Sequence, residues 1–279
     1  MTERDGGGLE PGIHTDFAGG MSYGDYLRLD LLLAAQQPRS GCHDELLFIT
    51  IHQASELWLK LMLHEVRGAQ ACLRRGDFKP ALKMLSRVGR IQAQMIQSWD
   101  VLSTLTPSDY LAFRGALGRS SGFQSYGYRA LEFALGLRDP AFLAPHRHDA
   151  AIHEALQAIL REPGLYDDAV RLLARHGLAI PKAVLERDPA GPWRAHPAVR
   201  AAWLAVYRDT ARHWPLYELA EKLVDIEDWF QQWRFRHMQT VERIIGAKRG
   251  TGGSSGVAYL RGALERRLFP ELWELRGEL

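Results

Sequence analysis

Residues 216–260 read LYELAEKLVDIEDWFQQWRFRHMQTVERIIGAKRGTGGSSGVAYL, and the fold follows from them. Apolar side chains recur at Leu216, Leu219, Leu223, Ile226, Phe230, Trp233, Val241 and Ile244. Steps of three and four make the stripe of one long helix packed on a core. Such a helix spans ~45 Å at 1.5 Å per residue. His237 falls on the stripe, so an imidazole points where a hydrophobic side chain is expected. A buried imidazole needs a partner for each ring nitrogen or it costs stability. It is either a core histidine bonded to a carbonyl or carboxylate, or a neutral metal ligand. The helix runs into residues 248–256, KRGTGGSSG, a glycine-rich loop with hydroxyls and two cations at its mouth. Such a loop lets backbone approach a ligand and offers N–H groups to anions. It lacks GK[ST] and no strand precedes it, so it is not a P-loop. A plain linker has the same composition.

Outward from this stretch, the whole chain has 279 residues, 46% hydrophobic, which is ample for one large core. Its net charge is +2 with both signs interspersed, which leaves no stripe for nucleic acid. No uninterrupted apolar run approaches the ~18 residues of a membrane span. The first twenty residues hold no apolar signal segment, so a cytoplasmic location is expected. Cys42 and Cys72 form no metal or haem-attachment motif and are expected to stay reduced. Eight tryptophans serve a core, an interface or a flat ligand.

Residues 1–20 are glycine-rich and polar and read as a mobile arm; residues 21–279 read as one all-α domain. Ser22 and Asp25 form a capping box opening a helix that runs to Pro38, with Tyr23, Tyr26 and Leu27 on one face. Residues 43–77 form a helix that between Leu46 and Val66 is apolar nearly all round, which marks it as central and buried, with His52 and Glu56 one turn apart. Asp77 starts another helix, with Pro80 tolerated in its first turn. Thr106-Pro107-Ser108-Asp109 is a helix start of cap, proline and first-turn acid. Behind it Tyr110, Arg114 and Leu117 share a face. Tyrosine and arginine one turn apart either grip a carboxylate, the arginine forking onto both oxygens, or split between core and surface. Further helices fill residues 125–214, where His146 and His148 are expected to face solvent, and two short ones end the chain. No strand alternation or repeat is visible.

The motifs of several chemistries are missing. There are no paired Glu-x-x-His motifs for a di-iron bundle, no His-Glu-x-x-His and no GxSxG elbow. A histidine on a long buried helix, a second histidine, flat aromatics and a glycine loop suit haem better. A non-catalytic haem protein and a cofactor-free helical scaffold share these features.

The chain resembles the tryptophan 2,3-dioxygenase family. The likeness covers essentially everything after residue 20. It is carried by residues 23–27 (YGDYL), 48–58 (FITIHQASELW), 99–114 (WDVLSTLTPSDYLAFR), 120–125 (SSGFQS) and 234–260. Ala54 stands where threonine is expected, and the loop from Pro38 to His43 is shortened. The resemblance implies an all-helical homotetramer, a dimer of dimers, with a haem b pocket between long helices and ferrous iron in the active state. It implies cleavage of the indole C2–C3 bond of L-tryptophan by O₂ to N-formylkynurenine, the first step of the kynurenine route. It implies that His237 is the axial haem ligand, with Trp99 also at the cofactor, and that His52 lies across the haem near the indole N–H. Arg114 and Tyr110 would take the substrate carboxylate, and Thr251 would help bind its amino and carboxylate groups. Phe48, Leu117, Tyr23, Tyr26 and Leu27 would wall the indole, the last three reaching in from a neighbouring subunit. Related indoleamine dioxygenases carry serine where His52 stands, so an orienting role is expected for it.

Overall fold

A computed structural model describes residues 8–279. Among these there are thirteen α-helices, four short 3-10 segments and no strand. The chain divides into two compact units, Met1–Pro38 and Arg39–Leu279.

In the first unit, residues 8–20 carry turns but no helix, and residues 1–7 of the expected arm lie outside the described residues. The capping box forms: Ser22 Oγ accepts from the Asp25 N–H at 3.2 Å, and the Asp25 carboxylate accepts from the Ser22 N–H at 3.1 Å. The single helix expected up to Pro38 does not form. Helix α1 (Tyr23–Leu27) ends where Arg28 turns left-handed, at φ 52°, and α2 (Leu29–Leu32) follows at a new angle. Segments this short do not repay their own nucleation in isolation.

In the second unit, α3 (Glu45–Arg75) and α4 (Phe78–Leu102) form an antiparallel hairpin. Gly76 makes the turn: at φ 87° it donates its N–H back to the Cys72 and Leu73 carbonyls. Helix α5 (Pro107–Arg114) begins with the expected Thr106–Asp109 capping box. It is followed by α6 (Tyr126–Leu135), α7 (Ala150–Arg161), α8 (Leu165–Arg175), α9 (Lys182–Leu185) and α10 (Pro197–Arg208). The long helix is α11 (Trp214–Ile245), then come α12 (Val257–Leu264) and α13 (Pro270–Glu274). Helix α4 packs between α3 and α11, α6 lies on α3, and α12 on α11.

The stripe of α11 behaves as its period dictates: Leu216, Leu219, Leu223, Ile226 and Phe230 are all buried. Each such side chain contributes roughly 1.5–3 kcal/mol. Two buried residues of this helix are charged, Glu227 and Arg234. Glu227 is fully buried and accepts from the Leu268 and Phe269 N–H groups, both at 2.9 Å, and from Trp273 Nε1 at 2.8 Å. Its carboxylate thereby fastens the last helix to the longest one. Cys42 and Cys72 are free thiols.

The central helix departs from the expectation of burial all round. Leu46, Leu57 and Leu61 are exposed, while Leu59, Met62, Leu63 and Val66 are in the core. By length and composition α3 alone among the described helices could cross a membrane, and 11% of its most apolar stretch is buried. The carboxyl half of α3 packs into the bundle, and its amino half lines the candidate site. His146 also differs from expectation. It closes a 3-10 turn, Pro140–His146, and is buried with Nε2 unpartnered, whereas His148 is exposed.

Candidate active site

Each helix of the α3–α4–α11 frame sends one ring to the same region: His52 from α3, Trp99 from α4 and His237 from α11. A second apolar cluster gathers there, apart from the main core. It comprises Trp99, Leu102, Leu105, Tyr110, Phe113 and Ile244, with Phe48, Leu117 and Trp233 against it.

Two aromatic boxes face this cluster. Around His52, the Phe48 ring lies 4.1 Å away between centroids, and Phe48 also meets Phe113 at 5.5 Å and Tyr110 at 6.0 Å. Around His237, Trp99 stacks at 4.8 Å and an interplanar angle of 9°, and Trp233 lies 5.5 Å away.

The two imidazoles are prepared differently. His52 Nδ1 is 2.7 Å from the Phe48 carbonyl one turn back. A carbonyl can only accept, so the neutral ring carries its proton on Nδ1 and leaves a lone pair on Nε2. Burial pulls the pKa of His52 below 6.5, against the Phe48 bond and the Glu56 carboxylate, which favour the charged ring. His237 is pushed down to about 4, first by burial and then by the nearby charge of His52. No hydrogen bond is among the influences on it. Both rings are neutral at pH 7.

The opposite wall comes from α5 and the glycine loop. Tyr110 is buried, its phenol pKa raised by burial against the pull of Arg114. Arg114, one turn on, is half-buried and donates from Nη2 to the Arg249 carbonyl at 2.5 Å. Leu117 follows in the 3-10 turn Gly115–Leu117. The loop crosses to the same wall: Thr251 Oγ1 donates to the Ser120 carbonyl at 2.5 Å. Gly252 lies so close to Ser121 that an added Cβ would sit 2.7 Å from the serine Cβ. The loop is tied internally, Gly250 N–H to Ser254 O at 3.2 Å and Gly253 N–H to Gly250 O at 3.0 Å.

Haem is the group to test against these residues. Among the described residues no three or more His, Cys, Asp or Glu side chains gather as a metal cage. What is present is one neutral imidazole on a rigid helix, boxed by flat rings. Beside it the indole Nε1 atoms of Trp99 and Trp233 are buried without an acceptor. Such donors need an acidic or polar partner. An iron-bearing cofactor with carboxylate groups would supply a bond for the His237 nitrogen and acceptors for the two indole N–H groups. The residues fit haem.

The structure thus brings together His52, Phe48, Tyr110, Arg114, Leu117, Thr251, Trp99 and His237. Tyr23, Tyr26 and Leu27 lie exposed on α1, in the amino-terminal unit. Several nearby residues were missed in the sequence. Ser125 Oγ donates to Glu56 at 2.5 Å, one turn from His52. Arg234, one turn before His237, is buried with Glu132. A charged residue inside the otherwise apolar run ALEFAL was the available signal for Glu132.

The chain matches the family model described as tryptophan 2,3-dioxygenase over residues 8–279. It is 56% identical over 271 residues to the tryptophan 2,3-dioxygenase of Bacillus anthracis, with 97% of each chain covered. It is 58% identical over 264 residues to that of Ralstonia pickettii, covering 95% of each. It is 58% identical over 268 residues to that of a Bradyrhizobium species, covering 96% of each.

Proposed function

The chain belongs to the tryptophan 2,3-dioxygenase family, and from that premise we infer how its residues share the conversion of tryptophan and O₂ to N-formylkynurenine. The chain is an oxidoreductase, a dioxygenase acting on tryptophan. The observation that carries the assignment of roles is the pair of neutral imidazoles, one with a free Nε2 and one with no hydrogen bond.

His237 would hold the iron of haem b, with Trp99 stacked on its ring and Trp233 beside it. Haem, when bound, supplies the activation of O₂; the protein supplies position and electrostatics. Arg114 forks onto the carboxylate of L-tryptophan, aided by the Tyr110 hydroxyl and by Thr251. Its bond to the Arg249 carbonyl fixes the side chain and ties the clamp to the loop. Phe48 and Leu117 wall the indole. His52 Nε2 accepts from the indole N–H and so orients the C2–C3 bond; its Nδ1 stays committed to Phe48. The loop of residues 246–256 excludes water from the reacting atoms.

The site is completed by a neighbouring copy in a homotetramer, α1 laying Tyr23, Tyr26 and Leu27 against the indole. Two features support assembly: these side chains are exposed, and so are Leu46, Leu57 and Leu61 on α3. The cytoplasm is the proposed location.

The test is spectroscopic and chemical. The purified protein should show a Soret band that shifts with L-tryptophan, and the ferrous form should consume O₂ and release N-formylkynurenine. A haem protein that leaves tryptophan intact would be a sensor, and a colourless one a scaffold; either result overturns the assignment.

A further inference from the structure

Beneath the glycine loop lies a buried polar clasp that the reaction scheme above does not use. Arg234, 4% exposed, is one turn before His237 on α11. Its guanidinium donates to Glu132 at 2.7 Å and to the Tyr128 hydroxyl at 3.0 Å, both on α6. It also donates to the carbonyls of Ala263 at 3.2 Å and Arg266 at 3.0 Å, at the carboxyl end of α12. Gln231, one turn earlier on the same face of α11, donates to that Arg266 carbonyl at 2.9 Å.

These bonds decide where α12 sits, and α12 carries the far end of the loop. The helix is eight residues, about 12 Å. It begins at Gly256, whose backbone presses on the Lys248 carbonyl: an added Cβ would sit 2.6 Å from that oxygen. The loop is therefore a closed ring hinged between α11 and α12. Its tip reaches Ser120 through one hydroxyl, and its Arg249 carbonyl reaches Arg114. If the carboxyl end of α12 slid on α11, the ring would move with it and both tip bonds would break. Three bonds from α11 to backbone carbonyls at the end of α12 make an anchor that costs little reorganisation, whereas two loop-tip bonds alone would close and open freely.

We propose that Arg234, seconded by Gln231, is a positioning residue for the substrate site: it anchors α12 on α11 and so sets the closed register of the loop carrying Thr251 and Arg249. The proposal rests on the substrate role given to that loop, but its main readout does not. Lys248 and Arg249 are exposed trypsin sites within the ring, and cleavage there reports local opening.

Arg234→Lys is the variant to make. It keeps a cation against Glu132 but lacks the fork that reaches both carbonyls and the phenol. In the haem-loaded oligomer, tryptic cleavage after Lys248 and Arg249, followed by mass spectrometry, should quicken about tenfold. The KM for L-tryptophan should rise about tenfold while kcat stays within about threefold, the split expected when binding geometry and not chemistry is lost. Gln231→Ala removes one bond and no buried charge, and should quicken cleavage about threefold. Wild-type cleavage and KM in a folded Arg234→Lys protein, with only a lower Tm, would make the clasp purely structural and overturn the proposal. Should that variant fail to fold, wild-type cleavage in Gln231→Ala has the same force. Faster cleavage in a protein that never oxidises tryptophan would uphold the clasp and sink the functional assignment instead.

Discussion

His52 commits Nδ1 to the Phe48 carbonyl, so the acceptor role proposed for it depends on Nε2 keeping a lone pair. Protonation removes that acceptor. Because burial lowers the pKa of His52 below 6.5, the neutral form persists above that depressed value and is lost as pH falls through it. The pH profile of kcat/KM should have an acid limb with its midpoint below 6.5. His52→Ala should flatten that limb and lower turnover without abolishing it; background activity would instead mark His52 as an essential base. Arg114 poses a different problem. If it grips the substrate carboxylate as proposed, its removal leaves an ionised carboxylate without its main partner, a loss of ~2–4 kcal/mol, or roughly 30- to 1000-fold. Arg114→Ala should lower kcat/KM for L-tryptophan by that factor. A value within threefold of wild type removes the clamp.

Among elements, the glycine loop and the long helix behave oppositely under mutation. Gly252 meets Ser121 where an added Cβ would come within 2.7 Å. Gly252→Ala should hold the loop away from Ser120, raise KM and leave Tm nearly unchanged, because the loop buries little. Equal KM values for the variant and wild type would show that the loop closes by another route. Glu227 belongs to the frame. Its fully buried carboxylate satisfies three donors that nothing else reaches. Glu227→Ala should cost about 3 kcal/mol, leaving those N–H groups unpaired. Thermal unfolding should then move down by roughly 6–12 °C. Calorimetry checks this, and an unchanged Tm would mean that α13 is held by packing alone.

At the scale of the whole molecule, α1 in the amino-terminal unit exposes Tyr23, Tyr26 and Leu27, and α3 in the second unit exposes Leu46, Leu57 and Leu61. If α1 walls a neighbour's pocket, activity requires the oligomer. The test is complementation. His237→Ala keeps α1 and removes the proposed haem ligand; Tyr26→Asp with Leu27→Asp keeps that ligand and spoils the proposed wall. Each should be inactive alone. Co-expressed, they should form mixed oligomers in which some pockets combine an intact haem site with an intact α1, and activity should return. Mixed oligomers that assemble and stay inactive would assign α1 to its own chain.

Local order was legible in the sequence. The three-four stripe of α11 and the Thr106–Asp109 and Ser22–Asp25 boxes each depend on neighbours within one or two turns, which a sequence displays directly. So were the residue types of the site, since a histidine on an apolar stripe and a glycine ring stand out against their surroundings. What a sequence does not display is the partner of a buried charge. Arg234 meets Glu132 across 102 residues and Thr251 meets Ser120 across 131. The same limit hid the burial of His146 and the break at Arg28. Periodicity fixes the phase of one helix about its own axis. It carries no information about the crossing of two helices far apart in the chain, and that crossing decides which polar groups lose water and must find each other.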